Sequence, residues 1–113
     1  MDMHIEVKEK SMLVRLKGEI DLAVADTLRD SLEKELEDNS LIKNLIINLT
    51  GVTYIDSSGL GVILGRYRRV SRYGGKVFIV GATAQVRKIL DLSGLLNIMQ
   101  ECPSEASALD LAG

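Results

Sequence analysis

Leu45-Ile46-Ile47-Asn48-Leu49 and, a few residues on, Tyr54-Ile55-Asp56-Ser57-Ser58-Gly59-Leu60-Gly61-Val62-Ile63-Leu64 decide how this chain folds. The first run is almost wholly apolar, as suits a central strand covered on both faces. The second passes within a few residues into a helical pattern. Asp56, Ser57 and Ser58 therefore sit where a buried strand hands over to a helix. Backbone N–H groups at a helix start lack intrahelical partners and carry partial positive charge. A hydroxyl there is exposed, and a phosphate attached to it is expected to be stabilised by those donors. Asp56 or Ser57 as an ordinary N-cap accounts for one oxygen. It leaves unexplained two serines followed by Gly59 and Gly61, glycines that let another molecule come close.

Outward from this junction the chain reads as alternating strands and helices. Met3, Ile5 and Val7 alternate with polar residues, the mark of a half-buried strand. Glu9-Lys10-Ser11 turns the chain, and Met12 to Leu16 pairs back as a hairpin. Gly18-Glu19-Ile20-Asp21 breaks that strand. Asp21 is the expected N-cap of a helix from about Leu22 to Glu37, with Val24, Leu28, Leu32 and Leu36 as its buried stripe. Asp38-Asn39-Ser40 ends it.

The next helix is expected over about Ser58 to Tyr73, with Leu60, Ile63, Leu64, Tyr67 and Val70 on one face. Arg66, Arg68, Arg69 and Arg72 then form a solvated cationic face near its C-terminus. Gly61 and Gly65 each cost about 1 kcal/mol relative to Ala inside a helix. They have two readings: close backbone packing, or, for Gly61, an exposed side that admits a partner. Gly74-Gly75 stops this helix.

Lys76 to Val80 reads as a further buried strand. Thr83 caps a short helix with Val86, Ile89 and Leu90 inward, closed by Gly94. Asp91 on that helix is placed to balance Arg87 or Lys88. Asn97 to Gln100 makes a short last strand. Pro103 and Ser104 open a terminal helix anchored by Ala108 and Leu109. The order β-β-α-β-α-β-α-β-α implies an α/β fold with parallel pairings, right-handed crossovers and one antiparallel hairpin.

A chain of 113 residues is expected to form one domain over residues 1–113. A hydrophobic fraction of 46% with only 4% aromatics means that aliphatic side chains fill the core. The net charge of −2 argues against direct nucleic-acid binding, which needs a basic face. No apolar run approaches the about 20 residues of a membrane span, so no membrane partner is expected. Met1-Asp2-Met3-His4 does not read as the start of a signal peptide. The single cysteine, Cys102, forms no internal disulfide, which fits a reducing cytoplasm. It reads as a small apolar residue rather than a nucleophile.

An enzyme finds little support. Asp-Ser-Ser-Gly-Leu-Gly is not a Gly-x-Ser-x-Gly elbow. A catalytic serine needs a base beside it, and the only histidine, His4, lies on the first strand. Asp21 and Asp56 make a conceivable acid/base pair, but each precedes a helix and capping accounts for both. No Cys/His cluster has metal-ligand spacing, and no phosphate loop is present. No catalytic residue, metal or cofactor is therefore expected.

Asp56-Ser57-Ser58-Gly59-Leu60-Gly61 resembles the signature of the STAS-domain family, in particular the bacterial anti-sigma-factor antagonists. The likeness extends to Gly18-Glu19-Ile20-Asp21, Gly74-Gly75-Lys76 and Asp91-Leu92-Ser93-Gly94-Leu95, four blocks in the family's order. The resemblance implies a STAS-type mixed sheet with packed helices. It implies that the unmodified chain binds an anti-sigma factor that is also a serine kinase, and so releases a sigma factor. Phosphorylation of Ser58 then ends the interaction and a serine phosphatase restores it. The choice of Ser58 over Ser57 rests on the family motif, because adjacent hydroxyls look alike to local physics. The expected contact surface is Asp21, Asp56, Ser57, Ser58, Gly59, Leu60 and Gly61. Two other readings stay open: an interaction module of another STAS stress-signalling or regulatory assembly, and a small-ligand sensor.

Overall fold

The computed structural model describes all 113 residues. The elements run β1 (Asp2–Lys8), β2 (Ser11–Ile20), α1 (Leu22–Asp38), β3 (Asn44–Ile55), α2 (Ser57–Arg72), β4 (Val77–Val80), α3 (Ala84–Leu92), a 3-10 turn (Leu95–Asn97), β5 (Gln100–Cys102) and α4 (Glu105–Ala112). The order matches the reading from the sequence. The five strands form one sheet in chain order, β1-β2-β3-β4-β5. β1 pairs antiparallel with β2, and the remaining neighbours are parallel.

Helices α1 to α3 cover one face of the sheet. Leu28, Leu32 and Leu36 of α1, Ile63 and Val70 of α2, and Val86 and Leu90 of α3 pack there on Val14, Leu45 and Ile47. The buried stripe of α1 uses Ala25 where Val24 was expected; Val24 is half-buried. Helix α4 alone covers the other face, where Leu13, Ile46, Phe78, Cys102 and Ala108 form a second cluster. Both faces of β3 are thus buried, which accounts for its unbroken Leu45-Ile46-Ile47. Cys102 is part of that cluster, and burial pushes its thiol pKa up.

Two strands outrun their sequence-based limits. β2 does not stop at Leu16. It passes through Gly18, which adopts φ +99° at a shift of register against β3. Only glycine takes that conformation readily, so the glycine marks a bulge rather than a strand end. β3 follows the bulged strand and reaches Ile55 rather than Leu49. The last strand lies at Gln100–Cys102 rather than Asn97–Gln100, because Gly94 at φ +83° starts a 3-10 turn over Leu95–Asn97. The two extended strands end side by side, Ile20 opposite Ile55. Helices α1 and α2 therefore begin next to each other at one end of the two central strands.

The expected cationic face of α2 is only partly solvated. Arg68 and Arg72 are exposed. Arg66 is 9% exposed, lies 2.8 Å from the Glu33 carboxylate, and donates to the Arg29 carbonyl at 3.4 Å. Burial lowers the Arg66 pKa, and Glu33 opposes that. Arg69 also donates to Glu33. A single acidic residue on α1 thus draws two arginines into the α1–α2 seam.

Helix α4 is tied to the sheet by charge. Glu105 accepts two hydrogen bonds from Arg15, at 2.8 and 2.7 Å, and one from Asn48 at 2.8 Å. The Arg15 pair holds the Glu105 carboxyl down from its ordinary 4.5 to about 2. A depressed carboxyl stabilises the fold above its unfolded-state value, and that contribution is lost as pH falls toward the folded value. At about 1.4 kcal/mol per pH unit the interval gives at most about 3.5 kcal/mol. Solvent screening at this half-exposed edge brings it to about 1–2 kcal/mol. Glu105→Gln is expected to be less stable than the native chain by that amount at pH 6, with the gap closing between about pH 4.5 and 2. Urea unfolding across that range checks this, and a gap independent of pH would contradict it.

Candidate functional site

Asp56 organises the end of the sheet where α1 and α2 begin. Its side chain caps α2, with Oδ1 accepting from the Ser58 N–H at 2.9 Å and the Gly59 N–H at 3.1 Å. Its other oxygen, Oδ2, accepts from the Leu22 N–H of α1 at 3.1 Å. Its own N–H donates to the Ile20 carbonyl. One carboxylate therefore serves the starts of two helices, while the backbone of the same residue ties the ends of two strands. Asp21 caps α1 by accepting from the Ala23 N–H at 3.1 Å. Both expected acidic residues are thus placed together, and both are engaged with backbone amides.

Ser57 and Ser58 are the first two residues of α2, with Ser57 exposed and Ser58 half-buried. Neither hydroxyl takes part in a hydrogen bond of the structure. Asp56 already holds the Ser58 and Gly59 amides. Two of the helix donors expected to stabilise a phosphate on Ser58 are thus already held by a carboxylate, which repels a second anion.

The glycines divide. Gly59 is buried, and a Cβ there would lie 2.8 Å from the Ile20 carbonyl, the Ile20 side chain and the Ile55 side chain. Its missing side chain is a requirement of packing between α2 and the strand ends, which accounts for this glycine without a partner. Gly61 is exposed and a Cβ would meet nothing within 4 Å. A Cβ on half-buried Gly65 would also meet nothing within 4 Å, so close helix packing through Gly61 and Gly65 is ruled out. Leu60 is half-buried against the core and offers its remaining surface outward.

Leu22 was missed. It is the first residue of α1, 75% exposed, and its amide is held by Asp56 beside Ser58. Its signal was available: it falls outside the stripe of α1 and follows the N-cap directly. His4, the only histidine, is an exposed residue of edge strand β1, opposite Arg15. The Asp56 carboxylate faces amide donors instead of a hydroxyl to deprotonate.

Gly59→Ala is expected to destabilise the fold by about 2 kcal/mol or more, since backbone must move to admit the methyl. Gly61→Ala is expected to stabilise it by about 0.5–1 kcal/mol through helix propensity. Asp56→Ala, which strips caps from two helices, is expected to cost about 1–3 kcal/mol. Thermal and urea unfolding of the three variants check these signs. Equal effects at the two glycines would contradict the packing described.

Residues 2–108 match the STAS domain family. The anti-sigma F factor antagonist of Paenibacillus polymyxa is 33% identical over 111 residues, covering 96% of this chain and 94% of its own length. The unphosphorylated form of the anti-sigma factor antagonist SpoIIAA superposes with a TM-score of 0.85 at 27% identity, over 97% of this chain and 95% of that one. The phosphorylated form of SpoIIAA, a Bacillus cell fate determinant, gives 0.78 at 26% identity, over 99% and 100%. With a family match over almost its entire length, this chain belongs to the STAS domain family.

Proposed function

We propose that the chain is an anti-sigma-factor antagonist whose grip on its partner is set by a phosphate on Ser58. The observation that carries this reading is the half-buried, unbonded Ser58 at the start of α2, flanked by the bound carboxylate of Asp56. The relatives named above support it. The unmodified surface of Asp21, Leu22, Asp56, Ser57, Ser58, Leu60 and Gly61 meets an anti-sigma factor, and the sigma factor bound to that protein is released.

The partner is also the kinase. It moves the γ-phosphoryl group of its own ATP to the Ser58 hydroxyl, leaving ADP. A separate serine phosphatase reverses the change. All of these partners meet the chain in the cytoplasm. No helix is long and apolar enough to cross a membrane.

The switch follows from charge. A phosphate adds about −1.5 to −2 charges at pH 7. Repulsion from Asp56 is partly offset by the dipole of α2, worth about 0.3–1 kcal/mol. The group points to solvent in the free protein, so the fold survives. A partner packed over Ser58 must instead bury a dianion without a matched cation, at a cost of several kcal/mol. Each 1.4 kcal/mol lowers affinity tenfold. Binding is therefore lost without refolding.

Ser58→Ala is expected to bind the anti-sigma factor and to gain no phosphate. Ser58→Asp is expected to weaken binding at least tenfold, yet less than phosphate does, because it adds about one charge. Ser57→Ala is expected to remain a substrate. Intact-mass analysis after incubation with kinase and ATP reads the modification, and titration calorimetry reads affinity. A phosphate appearing on Ser58→Ala at the native rate would move the site elsewhere.

A further inference from the structure

The far end of the α1–α2 pair carries a second feature. Val70 lies twelve residues beyond Ser58 on α2, roughly 18 Å along a helix that rises 1.5 Å per residue. There the C-terminal turns of both helices and the loop into β3 enclose an open cavity of about 670 Å³. Its floor is core: Leu36 and Val70 are 8% and 5% exposed. Its sides are Leu41 and Tyr73, exposed at 71% and 75%. Large apolar side chains this bare, facing one cavity, leave apolar surface in water that a ligand would cover.

The cavity is preformed. The Lys43 and Asn44 amides both donate to the Lys10 carbonyl, at 2.7 and 3.0 Å, and Asn39 holds the Leu41 amide at 3.1 Å. Gly75 lies so close against the Lys43 carbonyl that no side chain fits there. Its volume falls within the roughly 300–1,000 Å³ of small-molecule sites.

Charge narrows the ligand. The rim carries Lys10, Lys43 and Arg69 against one carboxylate, Glu37, in a chain whose net charge is −2. Arg69 is engaged by Glu33, with Glu37 at 3.9 Å, whereas Lys10 and Lys43 belong to no ion pair. The helical walls span about one turn each, Leu36–Glu37 and Arg69–Tyr73. That is too short for an amphipathic helix, which anchors over two turns or more.

We propose that this cavity binds a single-chain amphiphile with an anionic head, a long-chain carboxylate. Its alkyl chain lies between Leu41 and Tyr73 over Leu36 and Val70, and Lys10 and Lys43 hold the carboxylate. The site is separate from Ser58 and does not depend on the switch proposed there.

Dodecanoate below its micelle concentration is the probe, titrated into the full chain by calorimetry and followed by amide shifts. Saturable one-to-one binding is expected, with shifts centred on residues 36–43 and 69–75. Dodecyltrimethylammonium, of equal chain length and opposite charge, is expected to bind at least tenfold more weakly. The double variant Lys10→Glu/Lys43→Glu, on exposed positions, is expected to lose at least tenfold for dodecanoate, and Ser58→Asp to lose nothing. Equal affinity for the cation, an unaffected double variant, shifts elsewhere, or no saturable binding overturns the proposal. So does concentration-dependent self-association through this cavity, which would assign it to a second copy.

Discussion

A single carboxylate holds together the end of the sheet where α1 and α2 begin. Asp56 accepts hydrogen bonds from the Ser58 and Gly59 amides of α2 and from the Leu22 amide of α1. Unpaired N–H groups at helix starts are costly if left without partners, and here one side chain serves two helices. It can do so only because β2 and β3 end together, Ile20 beside Ile55. That alignment in turn needs the bulge at Gly18 and the absence of a side chain at Gly59. The position of Ser58 is therefore a consequence of strand register as much as of its own helix.

The same arrangement is the reason the phosphate proposed on Ser58 is expected to act on association rather than on folding. Asp56 is already bound to the nearest amides, so an added dianion gains little from them and turns toward solvent. The core beneath is aliphatic and shielded on both faces of the sheet. Its strength does not rest on the hydroxyl. The Glu33–Arg66–Arg69 cluster fixes α1 against α2 along their length, and so keeps Leu22, Leu60 and Gly61 in one relation to Ser58. A surface of that kind is presented ready-made, so the proposed modification need change only its charge.

Much of this was legible in the chain. Leu45-Ile46-Ile47 announces a strand buried on both faces, and the caps Asp21, Asp56, Thr83 and Ser104 all carry out the role their residue type suggests. What escaped depends on neighbours distant in sequence. Gly18 reads locally as a break, and only the pairing with β3 turns it into a bulge. Arg66 reads as a surface cation until Glu33 is placed opposite it. Asp91 sits at helical spacing from Arg87, yet Arg87 pairs with Glu101 through two hydrogen bonds of 2.9 Å. Gly59 and Gly61 look alike in the motif, and their different roles follow from Ile20, which lies 39 residues upstream of Gly59 and is brought close by the sheet. Leu22 shows the converse: its exposure was readable from the helical stripe, but its place beside Ser58 was not.

Affinity and folding stability are expected to respond separately to a phosphate on Ser58, and one preparation serves to measure both. The chain phosphorylated at Ser58 and the unmodified chain are compared in urea unfolding and in titration against the anti-sigma factor. Unfolding free energies within about 1 kcal/mol of each other are expected, with an affinity lower by a hundredfold or more in the phosphorylated chain. Undiminished affinity, or a loss of binding matched by an equal loss of folding stability, would contradict this expectation.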